Sequence, residues 1–222
     1  MGSSITALRE QFPGTKRYTY LDVAARGLIP IPTREAIDTF LDQRMYGEAD
    51  KAWMFDQVEA ARSRFAALIG ADPVEIAVTK NVSDGINAIA AAIPWQPGDN
   101  VVICESLEHP ANVFPWHHLV KRQGIQLKII KPDAGKIKLE RIIDAIDART
   151  RAITVASVSF SPGFRFPLAE LGAYCRQRQV LVIVDGAQSV GILDTDVGAA
   201  KIDALAVSTQ KGLLSLYGGG FL

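Results

Sequence analysis

From Val74 onward, the chain alternates short apolar runs, rich in β-branched residues, with segments whose apolar residues recur at helical spacing. The apolar runs are EIAVT, NVVICE, QLKII, AITVAS, VLVIVD and ALAVS. Helical spacing occurs between them at 83–93, 111–122, 139–146 and 168–178. Alternation of this kind is typical of βα units, and near-continuous apolar strands indicate a sheet that is covered on both faces. The sequence therefore predicts an α/β fold with three layers, α/β/α, and a mainly parallel sheet.

Two further helical stretches precede this region, at about 34–45 and 53–69, and Gly70 is placed to cap the second. We therefore expect one domain over 1–222 with an N-terminal helical arm over about 1–70. The chain ends in SLYGGGFL, a glycine-rich turn followed by an apolar pair, which has the character of an interrupted strand. We expect either a fragment of a longer polypeptide or an edge that another element covers.

Charge and composition restrict the kind of ligand. The chain has 24 basic and 24 acidic residues, so it lacks the basic excess that nucleic acid or an anionic membrane surface attracts. No apolar run approaches membrane-spanning length, and the N-terminus lacks the apolar core of a secretory signal. The two cysteines, Cys104 and Cys175, provide no disulfide framework. These features predict a cytoplasmic protein that binds a small molecule rather than nucleic acid or a membrane.

Polar residues follow most of the predicted strands at their carboxyl ends, which is where ligands bind in open parallel sheets. Asp185 ends the run VLVIVD, and Lys211 follows ALAVS after two further residues. A pyridoxal phosphate enzyme needs a lysine to hold the aldehyde as a Schiff base, and an acid that keeps the pyridine nitrogen protonated. The sequence therefore predicts a pyridoxal phosphate site that contains Asp185 and Lys211.

Three other residues fit the phosphate end of such a site. Ser83 lies where a strand exit opens a helix, whose first N–H groups and dipole attract an anion. Ser208 and Gln210 could add side-chain donors from the loop before Lys211. Ser83 is equally suited to be only the N-cap of that helix, and the two interpretations are compatible.

His109 follows the second predicted strand, where it could lie over a planar ligand. A zinc site would use Cys104, His109, His117 and His118, but these residues lack the ligand spacing of known zinc motifs. The glycine motifs of nucleotide-binding loops, GxxxxGK[ST] and GxGxxG, are both absent. We therefore expect no metal site and no nucleotide site.

Five segments resemble, in order, motifs of the class V aminotransferase superfamily of fold-type I pyridoxal phosphate enzymes. They are YLDVAARGLIPIP, TKNVSDGIN, EHPANVFPW, DGAQSVG and STQKGLLSLYGGGFL. The resemblance is strongest to the cysteine desulfurase and selenocysteine lyase branch. It implies the large-domain fold of pyridoxal phosphate-dependent transferases and a homodimer that acts on a small amino acid.

The resemblance also implies a role for each site residue. Lys211 would form the internal aldimine, Asp185 would pair with the pyridine nitrogen, and His109 would stack on the ring and move protons. Gln188 would meet the phenolic oxygen of the ring. The phosphate would be held by the backbone of Val82 and by three side chains, those of Ser83, Ser208 and Gln210.

The chain departs from the family pattern in ways that leave the reaction open. Desulfurases carry histidine at the position of Gln210 and asparagine near that of Phe160. The family's small C-terminal domain, which supplies a carboxylate-binding arginine and a mobile cysteine, has no counterpart here, so we expect a chain truncated after the Lys211 segment. Neither cysteine matches the mobile one, and the arginines nearest the predicted site are Arg26 and Arg165. Desulfurase or lyase chemistry and transamination both fit, as do the alternatives of an epimerase or a non-catalytic cofactor-binding fragment.

Overall fold

Seven strands form one sheet at the centre of the protein. The structure is a computed structural model that describes residues 4–48 and 50–222. The strands are β1 Val78–Thr79, β2 Asn100–Ile103, β3 Gln126–Ile129, β4 Thr150–Ala156, β5 Leu181–Asp185, β6 Ala204–Ser208 and β7 Gly220–Phe221. Their order in the sheet is β1-β7-β6-β5-β4-β2-β3. All pairs from β6 to β3 are parallel, whereas β7 is antiparallel to both β6 and β1. The prediction of a mainly parallel sheet is confirmed.

Helices cover both faces of this sheet. They are α1 Ile5–Glu10, α2 Ile31–Tyr46, α3 Lys51–Ile69, α4 Val82–Ala92, α5 Phe114–Gln123, α6 Leu139–Ala145, α7 Leu168–Arg176 and α8 Val197–Ala200. One apolar core lies between the sheet and α4 and α5, and it includes Ile86 and Trp116. The other lies beneath α3, α6 and α7, and it includes Phe65, Ile142 and Leu171. The α/β fold and its three α/β/α layers are therefore as predicted.

The central strand β5 shows why the apolar runs lack polar alternation. Successive side chains of a strand point to opposite faces. Val182 and Val184 pack into one core, and Ile183 packs into the other. All three are fully buried. The sheet therefore needs an apolar side chain at every position, and the first polar residue, Asp185, comes at the carboxyl end of the strand.

The final segment forms the strand that its sequence suggested. β7 lies between β6 and β1, and Leu222 exchanges two backbone hydrogen bonds with Ala77. Phe221 stacks on Phe65 of α3, with ring centroids 4.2 Å apart. The predicted first strand, EIAVT, is reduced to the two residues of β1, which form the outer edge of the sheet.

The predicted arm contains α1, α2 and α3, and its first three residues lie outside the described part of the chain. No side chain of α2 is buried, and α3 buries only Phe65, Ala66 and Ile69 near its end. Gly70 ends α3 with φ of 70°, the left-handed conformation that favours glycine at a helix end, as predicted. Among the described residues, no helix has the length and hydropathy that are needed to cross a membrane.

Candidate active site

A cavity of about 360 Å³ lies at the carboxyl ends of β4, β5 and β6. The eight residues predicted to form the site all line this cavity, although they come from four separate segments of the chain. They are Val82, Ser83, His109, Asp185, Gln188, Ser208, Gln210 and Lys211. Parallel strands place their exits at one edge of the sheet, so the fold itself explains why residues more than 100 positions apart meet here.

Asp185 lies at the end of β5, where it is 5% exposed. Its Oδ1 accepts a hydrogen bond from the Ala187 N–H at 2.9 Å. Burial raises the pKa of Asp185, and the Ala187 N–H and the nearby Lys211 and His109 oppose that rise. A buried carboxylate with one oxygen already bound retains its other oxygen for a cationic N–H donor.

Lys211 is half-buried on the segment that follows β6, and its Nζ lies 5.8 Å from the centroid of the Phe160 ring. Burial lowers the pKa of Lys211, while the charge of Asp185 opposes this effect. A lowered amine pKa enlarges the neutral fraction, which is the form that attacks a carbonyl. The segment is held from the N-terminal side of the chain, because the Gly27 N–H donates to the Gln210 carbonyl at 2.8 Å.

The start of α4 forms one end of the cavity. Asn81 caps this helix, since its side chain accepts a hydrogen bond from the Asp84 N–H at 2.9 Å. The alternative that Ser83 is the N-cap is therefore wrong: Ser83 is the second residue of the helix. Within the described ranges, the N–H groups of Val82 and Ser83 have no acceptor. Two free donors at a helix start fit a phosphate group, and the hydroxyl of Ser208 and the amide of Gln210 border the same cavity.

His109 caps a short 3-10 turn at Pro110–Asn112. Its Nδ1 accepts a hydrogen bond from the Ala111 N–H at 3.2 Å, so the neutral ring carries its proton on Nε2. The ring meets Phe160 edge to face, with centroids 6.4 Å apart. His109 and Phe160 thus form an aromatic wall of the cavity beside Lys211.

Several residues that line or adjoin the cavity were not recognised in the sequence. Ala24 and Ala25 line the cavity, and the carbonyl of Ala24 accepts a hydrogen bond from Gln188 Nε2 at 3.0 Å. Glu108, half-buried beside His109, accepts from the Ala156 N–H, and burial raises its pKa to about 7. The signals available were the small residues of VAARG and the acid that directly precedes His109. The cavity is completed by Asn81, Ala111, Ala156, Val158, Phe160, Ala187 and Tyr217.

The two cysteines lie outside the cavity. Both are buried, and burial raises the pKa of Cys104 and, to about 12, that of Cys175. A thiol with a raised pKa is a poor nucleophile, because the thiolate is the reactive form. Neither Arg26 nor Arg165 lines the cavity, and Arg165 borders a separate cavity beside α7.

The histidines show no metal-binding arrangement in the part of the chain that the structure describes. There, no three His, Cys, Asp or Glu side chains are grouped closely enough to hold an ion. His117 instead pairs with Glu105 through its Nε2.

The fold is a three-layer α/β/α arrangement with a cavity at its strand exits. The sequence model described as "Aminotransferase class-V" matches residues 19–222. The chain belongs to the class V aminotransferase family. A probable cysteine desulfurase of Methanothermobacter thermautotrophicus is 32% identical over 221 residues, which cover 97% of this chain and 55% of that protein.

Two solved structures resemble the whole or nearly the whole chain. The apo structure of a cysteine desulfurase from Thermococcus onnurineus superposes with a TM-score of 0.89 at 29% identity, and covers 100% of this chain and 57% of its own. A C-DES variant with glycine covalently linked to its PLP cofactor superposes with a TM-score of 0.85 at 27% identity, and covers 96% of this chain and 58% of its own. The chain thus spans little more than half the length of the proteins it matches.

Proposed function

We propose that this protein is a pyridoxal phosphate-dependent enzyme of the class V aminotransferase type, which acts on a small amino acid. Lys211 is the residue that holds the cofactor covalently through its amine. The observation that carries the proposal is one cavity lined by a buried acid, a lysine with a lowered pKa and two free N–H groups at a helix start. Residues 1–222 act together as one cofactor-binding large domain.

The residues present fit the cofactor. A cavity of about 360 Å³ falls within the size of small-ligand sites, about 300–1,000 Å³. The N–H groups of Val82 and Ser83, with the side chains of Ser208 and Gln210, suit a phosphate. Asp185 suits a protonated ring nitrogen, and Gln188 suits the phenolic oxygen.

Pyridoxal phosphate, when bound, supplies a ring that accepts electrons from the α-carbon of an amino acid. The protein must provide proton transfers and orientation. Asp185 would keep the ring nitrogen protonated, and the amine of Lys211 would remove and return the proton of the α-carbon. His109 would lie against the ring, and it carries a proton on Nε2.

The relatives named above include a probable cysteine desulfurase and a cysteine desulfurase, and this favours cleavage of a C–S bond in a small sulfur amino acid. Transamination and, alternatively, epimerisation would use the same residues. A non-catalytic cofactor-binding domain is the second candidate, and one observation favours it: among the described residues, no arginine lines the cavity to bind a substrate carboxylate. We further propose a homodimer, for which the unburied helix α2 offers surface, and a cytoplasmic location, which two free cysteines support.

The proposal is tested by adding pyridoxal phosphate to the purified protein and recording its visible absorbance. We expect the band of a lysine-bound cofactor, its loss in Lys211→Ala, and no change in Lys121→Ala, which removes an exposed lysine outside the cavity. Borohydride reduction followed by peptide mass spectrometry should place the label on Lys211. A protein that does not bind the cofactor, or binds it equally well without Lys211, would refute the proposal. Turnover of cysteine by the cofactor-loaded protein distinguishes an enzyme from a binding domain.

A further inference from the structure

The two residues that flank the His109 turn are joined to each other by a hydrogen bond. Glu108 Oε2 accepts a hydrogen bond from Asn112 Nδ2 at 2.7 Å. Asn112 is fully buried, and its Oδ1 accepts from Thr154 Oγ1 at 2.6 Å and from Trp116 Nε1 at 3.3 Å. Since an amide oxygen only accepts and an amide nitrogen only donates, these bonds fix the orientation of the Asn112 amide. Its nitrogen must therefore face an acceptor, and Glu108 provides one.

The other oxygen of Glu108 connects the turn to the sheet. Oε1 accepts from the Ala156 N–H at 2.8 Å. The next N–H, that of Ser157, donates toward β5, so the Ala156 N–H faces the opposite side, where β2 has already ended. Without Glu108 this N–H at the strand end would lose its acceptor. Ala156 is the register partner of Asp185, so Glu108 ties the His109 turn to the strand ends that carry Asp185.

The same turn determines the state of the His109 ring. The Ala111 N–H, which lies between Glu108 and Asn112 along the chain, donates to His109 Nδ1. The Asn112 N–H donates to the His109 carbonyl at 2.8 Å. If the turn were released, the ring would lose the donor that keeps its proton on Nε2.

We propose that Glu108 is a positioning residue for His109. By joining the Asn112 amide to the Ala156 N–H, it fixes the turn that holds the imidazole in one tautomer at the cavity wall. The purpose of this arrangement rests on the proposed function, in which His109 lies against the cofactor. A purely structural Glu108 would satisfy the same two donors and influence the stability of the protein, but the tautomer of His109 would not depend on it.

Two single variants and one double variant separate these roles. In Glu108→Gln the new amide oxygen can still accept from the Ala156 N–H. Its amide nitrogen then faces the Asn112 nitrogen, so that two donors face each other without an acceptor. Glu108→Asp keeps the charge, but it is one methylene too short to reach both donors. In Glu108→Gln/Asn112→Asp the new amide donates to the new carboxylate, whose other oxygen can still accept from Thr154 and Trp116. The double variant therefore restores every hydrogen bond with the charge moved to position 112.

The measurement is nitrogen-detected NMR of the imidazole rings of the cofactor-free protein at about pH 8, above the reference pKa of a free histidine side chain, about 6.5. The chain has only three histidines, and His109→Gln identifies the signal of interest. We expect one Nε2–H tautomer for His109 in the wild type, loss of that single state in both single variants, and its recovery in the double variant. Circular dichroism confirms that each variant is folded.

A single His109 tautomer in a folded Glu108→Gln or Glu108→Asp protein would overturn the proposal. So would a folded double variant that fails to recover the single state. The cofactor is absent from this experiment, so the result does not depend on whether pyridoxal phosphate binds. If the protein binds no cofactor but His109 responds as expected, the proposed function fails and the positioning role stands.

Discussion

The close approach of Gly212 to Val190 gives a test of how the site is assembled. A Cβ atom built on Gly212 would lie 2.2 Å from the Val190 carbonyl oxygen, and one on Gly191 would lie 2.4 Å from the Gly212 oxygen. The backbone of the loop that follows Asp185 therefore lies in close contact with the backbone of the segment that carries Lys211. Gly212 itself has no left-handed φ, so substitution to alanine introduces a steric conflict alone.

We predict that Gly212→Ala separates the two segments and weakens both folding and cofactor binding. Real Cβ atoms do not approach closer than 3.0 Å, so the backbone must move by at least 0.8 Å from the present 2.2 Å. Overpacking of this kind costs about 1–3 kcal/mol. For a chain of this size the melting temperature should fall by about 2–12 °C. A displacement near 1 Å at the reacting groups costs about 100-fold in rate. The loss of activity should therefore exceed the loss that the lower stability alone would cause.

The matched control is Gly198→Ala in α8. A Cβ there would make an ordinary contact, 3.4 Å from Asp196 Oδ1, and alanine favours a helix. Its melting temperature should equal or exceed that of the wild type. Thermal unfolding by circular dichroism and titration with pyridoxal phosphate measure the two effects. A Gly212→Ala protein that has the same melting temperature as the wild type and binds the cofactor with equal affinity would refute the reasoning.

Two further predictions concern the acids of the site. Asp185→Asn keeps an acceptor for the Ala187 N–H but removes the charge that would keep the ring nitrogen protonated, and with it the capacity of the ring to accept electrons. Turnover should therefore fall by about 100-fold or more while the cofactor dissociation constant changes less, and equal losses in both would contradict this role. Because burial raises the pKa of Glu108 from 4.5 to about 7, the unfolded chain ionises first, and the contribution of Glu108 to folding stability should fall as pH rises between these values. The titratable groups near Glu108 are Asp185, Cys104 and His109. The difference in unfolding free energy between wild type and Glu108→Gln, measured by urea denaturation, should shrink by about 3 kcal/mol over that pH range. If the unfolding free energies of the two proteins instead change in parallel with pH, this assignment is wrong.

The strand exits could be predicted from the sequence because burial on both faces leaves a periodic, apolar signal that stops where a polar residue begins. Asp185 illustrates this, since it is the first polar residue after five buried or partly buried ones from Val180 to Val184. Parallel topology then places Asp185, Ser208 and Lys211 at one edge without any knowledge of distances. Local rules therefore sufficed for residues that a strand or helix positions directly.

Contacts between distant segments leave no such signal. The carbonyl of Ala24 meets Gln188 across 164 positions of sequence, and nothing in an alanine indicates that its backbone closes a cavity. The role of Glu108 could not be predicted for the same reason. Its hydrogen bond to the Ala156 N–H depends on where β2 ends, because only beyond that end does this N–H lack a neighbouring strand. The prediction that Ser83 caps α4 was wrong for a local reason. Both Asn81 and Ser83 are good capping residues, and only the residue at which the helix begins distinguishes them.

The electrostatics of Asp185 and Lys211 explain why the two must be buried together. Burial alone favours the neutral form of each, because it raises the pKa of the acid and lowers that of the amine. Each charge opposes the effect of burial on the other, so ionisation of one favours ionisation of its partner. Replacing Asp185 by a neutral residue would consequently lower the pKa of Lys211 further. The acid thus influences the lysine before any ligand binds, so the pKa values of the two groups are coupled.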